Sequence, residues 1–429
     1  MKISAILLAL LLSSRVAQAA NYYISTNGND SNSCNQSQSI NNPKATFRSA
    51  TSCLTAGDTL FVRAGTYNQF INNGIASGTS WTNKVRIAAY QNEVVWLVPT
   101  SGDVYVVSIS DGAHYIEFDG INVNSSNVTY GPIHIESIVA GAINTHHIRY
   151  QNAEVVSSPT KSDIGVLVVH PILGQGGDEF INLNIHGGGT SDFHHAIYLQ
   201  APDIIVDKCN ISDWTGAGIQ IYNGFGIVPN NITIKNTIVH DLRKTAQGQR
   251  HWGIIIYGSS INNSILFNNL VYNIPYDGST SAGIEIYAQK TLLYNSTLYG
   301  GDGTGIQIDP GASGTTVINN ISWKHTTNDY VNNGTGTIVN NNLIGVDPLF
   351  IDPTSGNFQI KDNSPAYNQG ISLNTVPTDI LGVSRPQYSI YDIGAYEYKG
   401  TTPVPPTPTT VTITITITCS PNCNVQVNK

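Results

Sequence analysis

The chain has 429 residues, of which 11% are charged, and its 28 acidic side chains against 20 basic ones give a formal net charge of −8. That balance argues against nucleic acid as a partner, although it leaves room for a locally basic groove that would hold an acidic polymer. Abundant Gly, Asn, Ser, Thr and Tyr with many β-branched residues exclude a charged helical protein and favour an all-β one.

Residues 1–19 carry Lys2, an apolar run from Ile3 to Leu12 and Ala17-Gln18-Ala19, the small-x-small pattern of a signal peptidase site. Export is the expectation, to the medium, the periplasm or the cell surface. No later stretch approaches the roughly 20 apolar residues of a membrane helix. Cysteine usage fits an oxidising compartment, with Cys34 and Cys53 as one expected disulfide and Cys419 and Cys423 as another. Cys209 is left over and reads as a buried small hydrophobe.

Residues 20–111 form an N-terminal cap with the first coils. Tyr22-Tyr23-Ile24-Ser25 is a short strand, Lys44–Ala50 a helical turn, and Ala56-Gly57-Asp58 a turn into the strand Thr59–Val62. The run Tyr22-Tyr23-Ile24-Ser25-x-x-Gly28-x-Asp30, followed by Ala56-Gly57-Asp58-Thr59-Leu60-Phe61-Val62-Arg63-Ala64-Gly65-Thr66-Tyr67, resembles the N-terminal cap of secreted right-handed parallel β-helix proteins of the pectate-lyase-like superfamily. The resemblance implies a right-handed parallel β-helix. It implies no one activity, because lyases, hydrolases, epimerases and adhesins of that group share this opening.

Residues 112–345 read as the solenoid core. Six segments repeat one strand: Gly165-Val166-Leu167-Val168, Ala196-Ile197-Tyr198-Leu199, Gly218-Ile219-Gln220-Ile221, Gly253-Ile254-Ile255-Ile256, Gly283-Ile284-Glu285-Ile286 and Gly305-Ile306-Gln307-Ile308. Successive copies stand 22 to 35 residues apart, the period of a solenoid. Second strands lie between them, such as Ile232–Ile238 and Leu292–Asn295, and their alignment stacks Asn236, Asn269, Asn295, Asn320 and Asn341 as an amide ladder at one corner. Lys208 takes an asparagine's place in that column and is expected to turn to solvent. Residues 346–399, with Val346-Asp347-Pro348-Leu349-Phe350 and Asp392-Ile393-Gly394-Ala395-Tyr396, resemble the closing segment of bacterial members of the superfamily and are expected to cap the open end. A Pro/Thr linker (400–410) and a tail (411–429) with one strand of alternating Thr and aliphatic residues finish the chain.

In the repeated strand the two aliphatic positions face inward, so the residues between and after them face out. One outward column reads Leu167, Tyr198, Gln220, Ile255, Glu285, Gln307, and the next Val169, Gln200, Tyr222, Tyr257, Tyr287, Asp309. Stacked tyrosines offer the flat apolar surface on which sugar rings lie. Phe193-His194-His195, Arg250-His251-Trp252, His170, Lys161, Arg243 and Lys244 flank these strands. Adjacent His194 and His195 point to opposite sides of a strand and no Cys or carboxylate spacing completes a zinc site. Calcium stays open, because Asp and Asn fill the loops without matching a known calcium-loop pattern.

Such groups suit β-elimination from a uronate-containing polysaccharide, which needs donors or cations for the developing charge and a base for the proton. The expected catalytic set is His195 with Tyr198, backed by Arg250 and His251. His194, Gln220, Tyr222, Tyr257, Glu285, Tyr287 and Lys244 are the expected substrate contacts. Arg250-His251 is similar to the Arg-His-Gly of the alginate lyase and chondroitinase B family, but Trp252 separates the histidine from Gly253 and no lysine stands where that family's base belongs. The competing enzyme reading is an inverting glycoside hydrolase using Glu285 and Asp309, which strand geometry sets roughly 8 Å apart, within the range of about 6.5–9.5 Å for inversion. A third reading is a non-catalytic glycan-binding adhesin. The expected form is a monomer acting on a polysaccharide.

Overall fold

A computed structural model describes residues 19–400 apart from 103, 138–144, 170–175, 246–249 and 277–280. The leader, His170, the linker, the tail and its Cys419–Cys423 pair lie outside the described residues. The described part is a right-handed parallel β-helix. One sheet has ten strands in strict chain order, from Ile71–Asn72 to Asn328–Asn332, and includes all six repeated strands. A second sheet of 21 strands takes two strands from most coils. The inward aliphatics Val166, Ile197, Ile219, Ile254, Ile284 and Ile306 are fully buried in one continuous core.

The corners explain the asparagines. Between the paired strands of the larger sheet, Asn152, Asn182, Lys208, Asn236, Asn268, Asn295, Asn319 and Asn341 all have φ between 42° and 60°. Asparagine tolerates this left-handed conformation because its short amide bonds locally. The ladder therefore runs through Asn268 and Asn319, one residue before the Asn269 and Asn320 expected from sequence. Asn268 Nδ2 donates to Asn236 Oδ1 at 3.2 Å and Asn319 Nδ2 to Asn295 Oδ1 at 3.3 Å. Lys208 shares the corner and is exposed.

Asn269 and Asn320, both fully buried, belong to a second ladder. Thr237 N–H donates to Asn269 Oδ1 at 3.1 Å, Ser296 N–H to Asn320 Oδ1 at 2.9 Å, and Asn320 N–H to Asn342 Oδ1 at 2.8 Å. Each side-chain oxygen thus satisfies a corner N–H of the coil before it, where no strand partner exists. On the outer face of the same sheet Glu117 bonds Arg86 and Arg149, both at 2.9 Å, and Arg149 reaches Glu179 at 2.8 Å.

At the N-terminus the strand Asn21–Ile24 pairs in parallel with Thr59–Val62, and Thr46 Oγ1 caps the helical turn Phe47–Thr51 by accepting from Ser49 N–H at 3.2 Å. Cys34 and Cys53 are disulfide-bonded with Cα atoms 5.5 Å apart. Cys209 is buried, and desolvation pushes its thiol up to about 12, so it is inert at neutral pH.

The closing segment packs against the side of the solenoid. Its Phe350, Phe358, Ile360, Ile380, Ile393 and Tyr396 pack laterally on Leu270, Tyr299 and Ile321, the outward residues of three successive coils. Ladder amides hold it there: Asn268 Nδ2 donates to Thr378 O at 2.7 Å, Asn295 Nδ2 to Asp392 O at 3.1 Å, and Asn319 Nδ2 to Ile371 O at 2.8 Å. On the last coil Ile338 stays 59% exposed. The segment buries apolar outer residues of these coils, and Leu343 of the last coil packs against it.

Asn320→Ala strands the Ser296 N–H and the carbonyl of Leu293, which Asn320 Nδ2 reaches at 2.9 Å. Unfolding in urea should show a loss of about 2 kcal/mol or more. An unchanged midpoint would show that the inner ladder contributes no stability.

Candidate functional site

The repeated glycine lets the chain pass close to its neighbours. A Cβ on Gly253 would lie 2.3 Å from Val271 Cγ1 and 2.5 Å from the carbonyl of Gly283, so only glycine fits where the strand enters the core. The ladder then fixes the outward columns. His134, Leu167, Tyr198, Gln220, Ile255, Glu285 and Gln307 are successive partners, and so are Tyr222, Tyr257 and Tyr287.

A cleft of about 870 Å³ runs over this face. Among the expected residues His195, Tyr198, Gln220, Tyr222, Arg250, Tyr257 and Glu285 line it. Its wall is aromatic: Tyr198, Tyr222 and Tyr257 stack with centroids 6.4 and 6.2 Å apart.

Four expected residues stand elsewhere. His251 is fully buried and its N–H bonds Ser281 Oγ at 3.2 Å, because alternation along the strand sends it inward between outward Arg250 and Trp252. His194 Nδ1 accepts from the N–H groups of Thr190 and Ser191, both at 3.1 Å, and is spent on closing that turn. Lys244 pairs with Asp302 at 3.1 Å on the surface. Tyr287 stacks on Tyr257 at 5.2 Å and lies against Gly311, away from the cleft lining.

His195 lines the cleft but is not built as a base. Its Nδ1 accepts from Ala217 N–H at 3.0 Å, which puts the ring proton on Nε2. Burial and neighbouring His194 push its pKa down to about 3. The ring is a neutral donor stacked on Tyr198 at 5.4 Å. Tyr198 Oη accepts from Gln200 Nε2 at 2.9 Å, and burial pushes its hydroxyl pKa up, so it too holds its proton.

Glu285 is the group whose chemistry stands out. It is 5% exposed, and its Oε2 accepts from Trp252 Nε1–H at 2.8 Å. Burial first, then the charge of Asp309, pushes Glu285 up to about 8, against the pull of Trp252 N–H and Arg250. Burial thus favours the protonated form of Glu285. Asp309, on the next coil, has its Oδ1 accepting from Gln307 Nε2 at 2.7 Å.

The cleft also uses residues that the six-copy repeat did not reveal, among them Tyr105, Tyr130, His134, Glu136, Asp192 and Trp252. Ile133-His134-Ile135-Glu136 carries the same alternation behind Gly131-Pro132 and is a seventh copy of the strand. His134 stacks on Tyr105 at 4.3 Å, and its Nε2 lies 3.4 Å from Glu136 Oε2. The Arg250 guanidinium sits over Trp252 at 5.5 Å, with Nε 4.0 Å from Asp192 Oδ2. Among the described residues no group of three or more His, Cys, Asp or Glu side chains is arranged to hold a metal ion.

Stacked coils, corner ladders and a cleft on the outer face of one sheet define a right-handed parallel β-helix protein. The chain belongs to the family described as the right handed beta helix region, whose model matches residues 100–344. Among solved structures it is similar to a pectate lyase, Pel9A, at 17% identity and a TM-score of 0.63, covering 89% of this chain and 97% of that one. It is also similar to a rhamnogalacturonan lyase at 14% identity and a TM-score of 0.53, covering 78% of this chain and 91% of that one. At these identities the likeness is one of fold. No curated protein matches the sequence.

The depressed His195 pKa carries a stability signature. Between its ordinary 6.5 and the folded value of about 3 the unfolded chain binds the extra proton, so stability is lost as pH falls through that window. Thermal midpoints recorded from pH 7 to 4 should fall less steeply for His195→Gln than for the wild type. Parallel curves would show that His195 titrates normally.

Proposed function

We propose that the chain is an exported enzyme that cleaves the glycosidic bonds of a polysaccharide in this cleft, with Glu285 as the proton donor. The observation that carries the reading is a buried carboxyl, bonded by the Trp252 indole in an aromatic-lined cleft, where burial favours its protonated form. Stacked tyrosines supply the platform for sugar rings, and a raised carboxyl pKa is what general-acid catalysis at neutral pH requires. The Cys34–Cys53 disulfide supports an oxidising compartment. The likeness to a pectate lyase and a rhamnogalacturonan lyase supports a polysaccharide as the ligand.

Hydrolysis suits the side chains best. Glu285 gives its proton to the glycosidic oxygen as the bond to the anomeric carbon breaks, a water adds to that carbon, and the proton it sheds goes to a carboxylate. Besides Glu285, the carboxylates lining the cleft are Glu136 and Asp192. Elimination from a uronate, the reaction expected from sequence, is favoured by Arg250 as counter-ion and by neutral Glu285 as a donor to the sugar carboxylate. It then needs a base, and with His195 and Tyr198 both engaged that task falls to the same cleft carboxylates.

Glu285→Gln should lower cleavage by about a hundredfold or more while the β-sheet circular dichroism stays unchanged. Wild-type turnover should fall as pH rises through about 8, where the acid loses its proton. The assay is a panel of xylan, galactan, polygalacturonate, alginate, hyaluronan and chondroitin, each with and without chelator. New reducing ends without unsaturated product mean hydrolysis, unsaturated uronate absorbance means elimination, and retention without cleavage means a binding protein. Full activity of Glu285→Gln would refute its role as the acid.

A further inference from the structure

We propose that the cleft holds a linear glycan along the solenoid axis with nearly all of its sugar-binding surface on one side of the scissile bond, so that the enzyme trims one or two sugars at a time from a chain end. The inference rests on Glu285 being the acid. His134, Leu167, Tyr198, Gln220, Ile255 and Glu285 follow one another through the parallel ladder. Five coil steps of about 4.8 Å place His134 about 24 Å from Glu285. Tyr105, the ladder partner of Gly131, extends the cleft by one coil more. A chain of equatorially linked pyranoses repeats on nearly the length of a coil, so the cleft spans about five sugars.

Glu285 stands at the end of this track rather than at its middle. No described residue of the next coil strand, Thr304–Ile308, lines the cleft. There the Gln307 amide is engaged by Asp309, and the Tyr287 ring lies against Gly311. The aromatic rings all lie on the other side: Tyr257 and Trp252 beside the acid, Tyr222 and Tyr198 next, and Tyr105 with Tyr130 at the far end, 5.4 Å apart. A bond cut at Glu285 therefore leaves one long, well-held fragment and one short fragment with few contacts. Short products leave first, and the long chain advances by the length released.

The test uses the oligosaccharide series, from disaccharide to hexasaccharide, of each polymer in the panel above. Titrated calorimetrically into Glu285→Gln, affinity should rise with each added sugar up to the pentasaccharide or hexasaccharide. Adding Tyr130→Ala, at a residue 49% exposed and so safe for folding, should weaken the hexasaccharide about tenfold and leave the disaccharide unchanged. The wild type should release monosaccharide or disaccharide from the hexasaccharide at the earliest time points. Trisaccharides as the first product, or a Tyr130→Ala loss equal at every length, overturn the end-trimming arrangement while leaving Glu285 as the acid. Failure of every oligosaccharide to bind overturns the glycan reading along with it.

Discussion

Every coil must come to rest one strand spacing above the last, so each side chain has a near copy of its own position directly above and below it. This constraint turns single residues into columns. It rewards side chains that pair with their equivalents: aliphatics inside, amides at the corner, and tyrosines on the outer face. Charges obey it by alternating, as in the run from Arg86 through Glu117 and Arg149 to Glu179. Like charges at that spacing would repel; opposite ones lock the register.

The same constraint makes Glu285 unusual. Among the described residues, a carboxyl that lines the cleft with Ile255, Trp252 and Tyr257 and feels the charge of Asp309 has Arg250 as the cation acting on it, and Arg250 is also drawn to Asp192. Keeping a proton is the less costly solution than keeping a charge. The indole N–H of Trp252 fixes one oxygen and so fixes the plane of the group. His195 shows the converse case: a buried imidazole at the cleft wall gives up its charge and lends its lone pair to a backbone N–H. Both residues are shaped by burial, yet one becomes a donor of protons and the other only of hydrogen bonds.

How much of this was legible in the sequence follows from what a repeat encodes. Alternation and glycine spacing specify which residues face out, and the columns through Tyr198, Gln220 and Glu285 were correct in register. They do not encode depth. Nothing local to Arg250-His251 says that the histidine is enclosed, and the adjacent histidines 194 and 195 differ only in which side of the strand they take. His134 and Glu136 escaped because Pro132 interrupts the glycine-aliphatic signature of their strand. The asparagine columns were shifted by one residue at Asn269 and Asn320 because two amide ladders run side by side, one outward and one inward.

The lateral position of residues 350–396 bears on how the molecule comes apart. A solenoid whose coils touch only their neighbours can fray one coil at a time from an end. Here Asn268, Asn295 and Asn319 belong to successive coils and are all bonded to the same overlying segment. Peeling the last coil away therefore requires releasing a strap that also grips those before it. The C-terminal third is bound into a single cooperative block, and the acid-bearing coil that contains Asn295 lies within it.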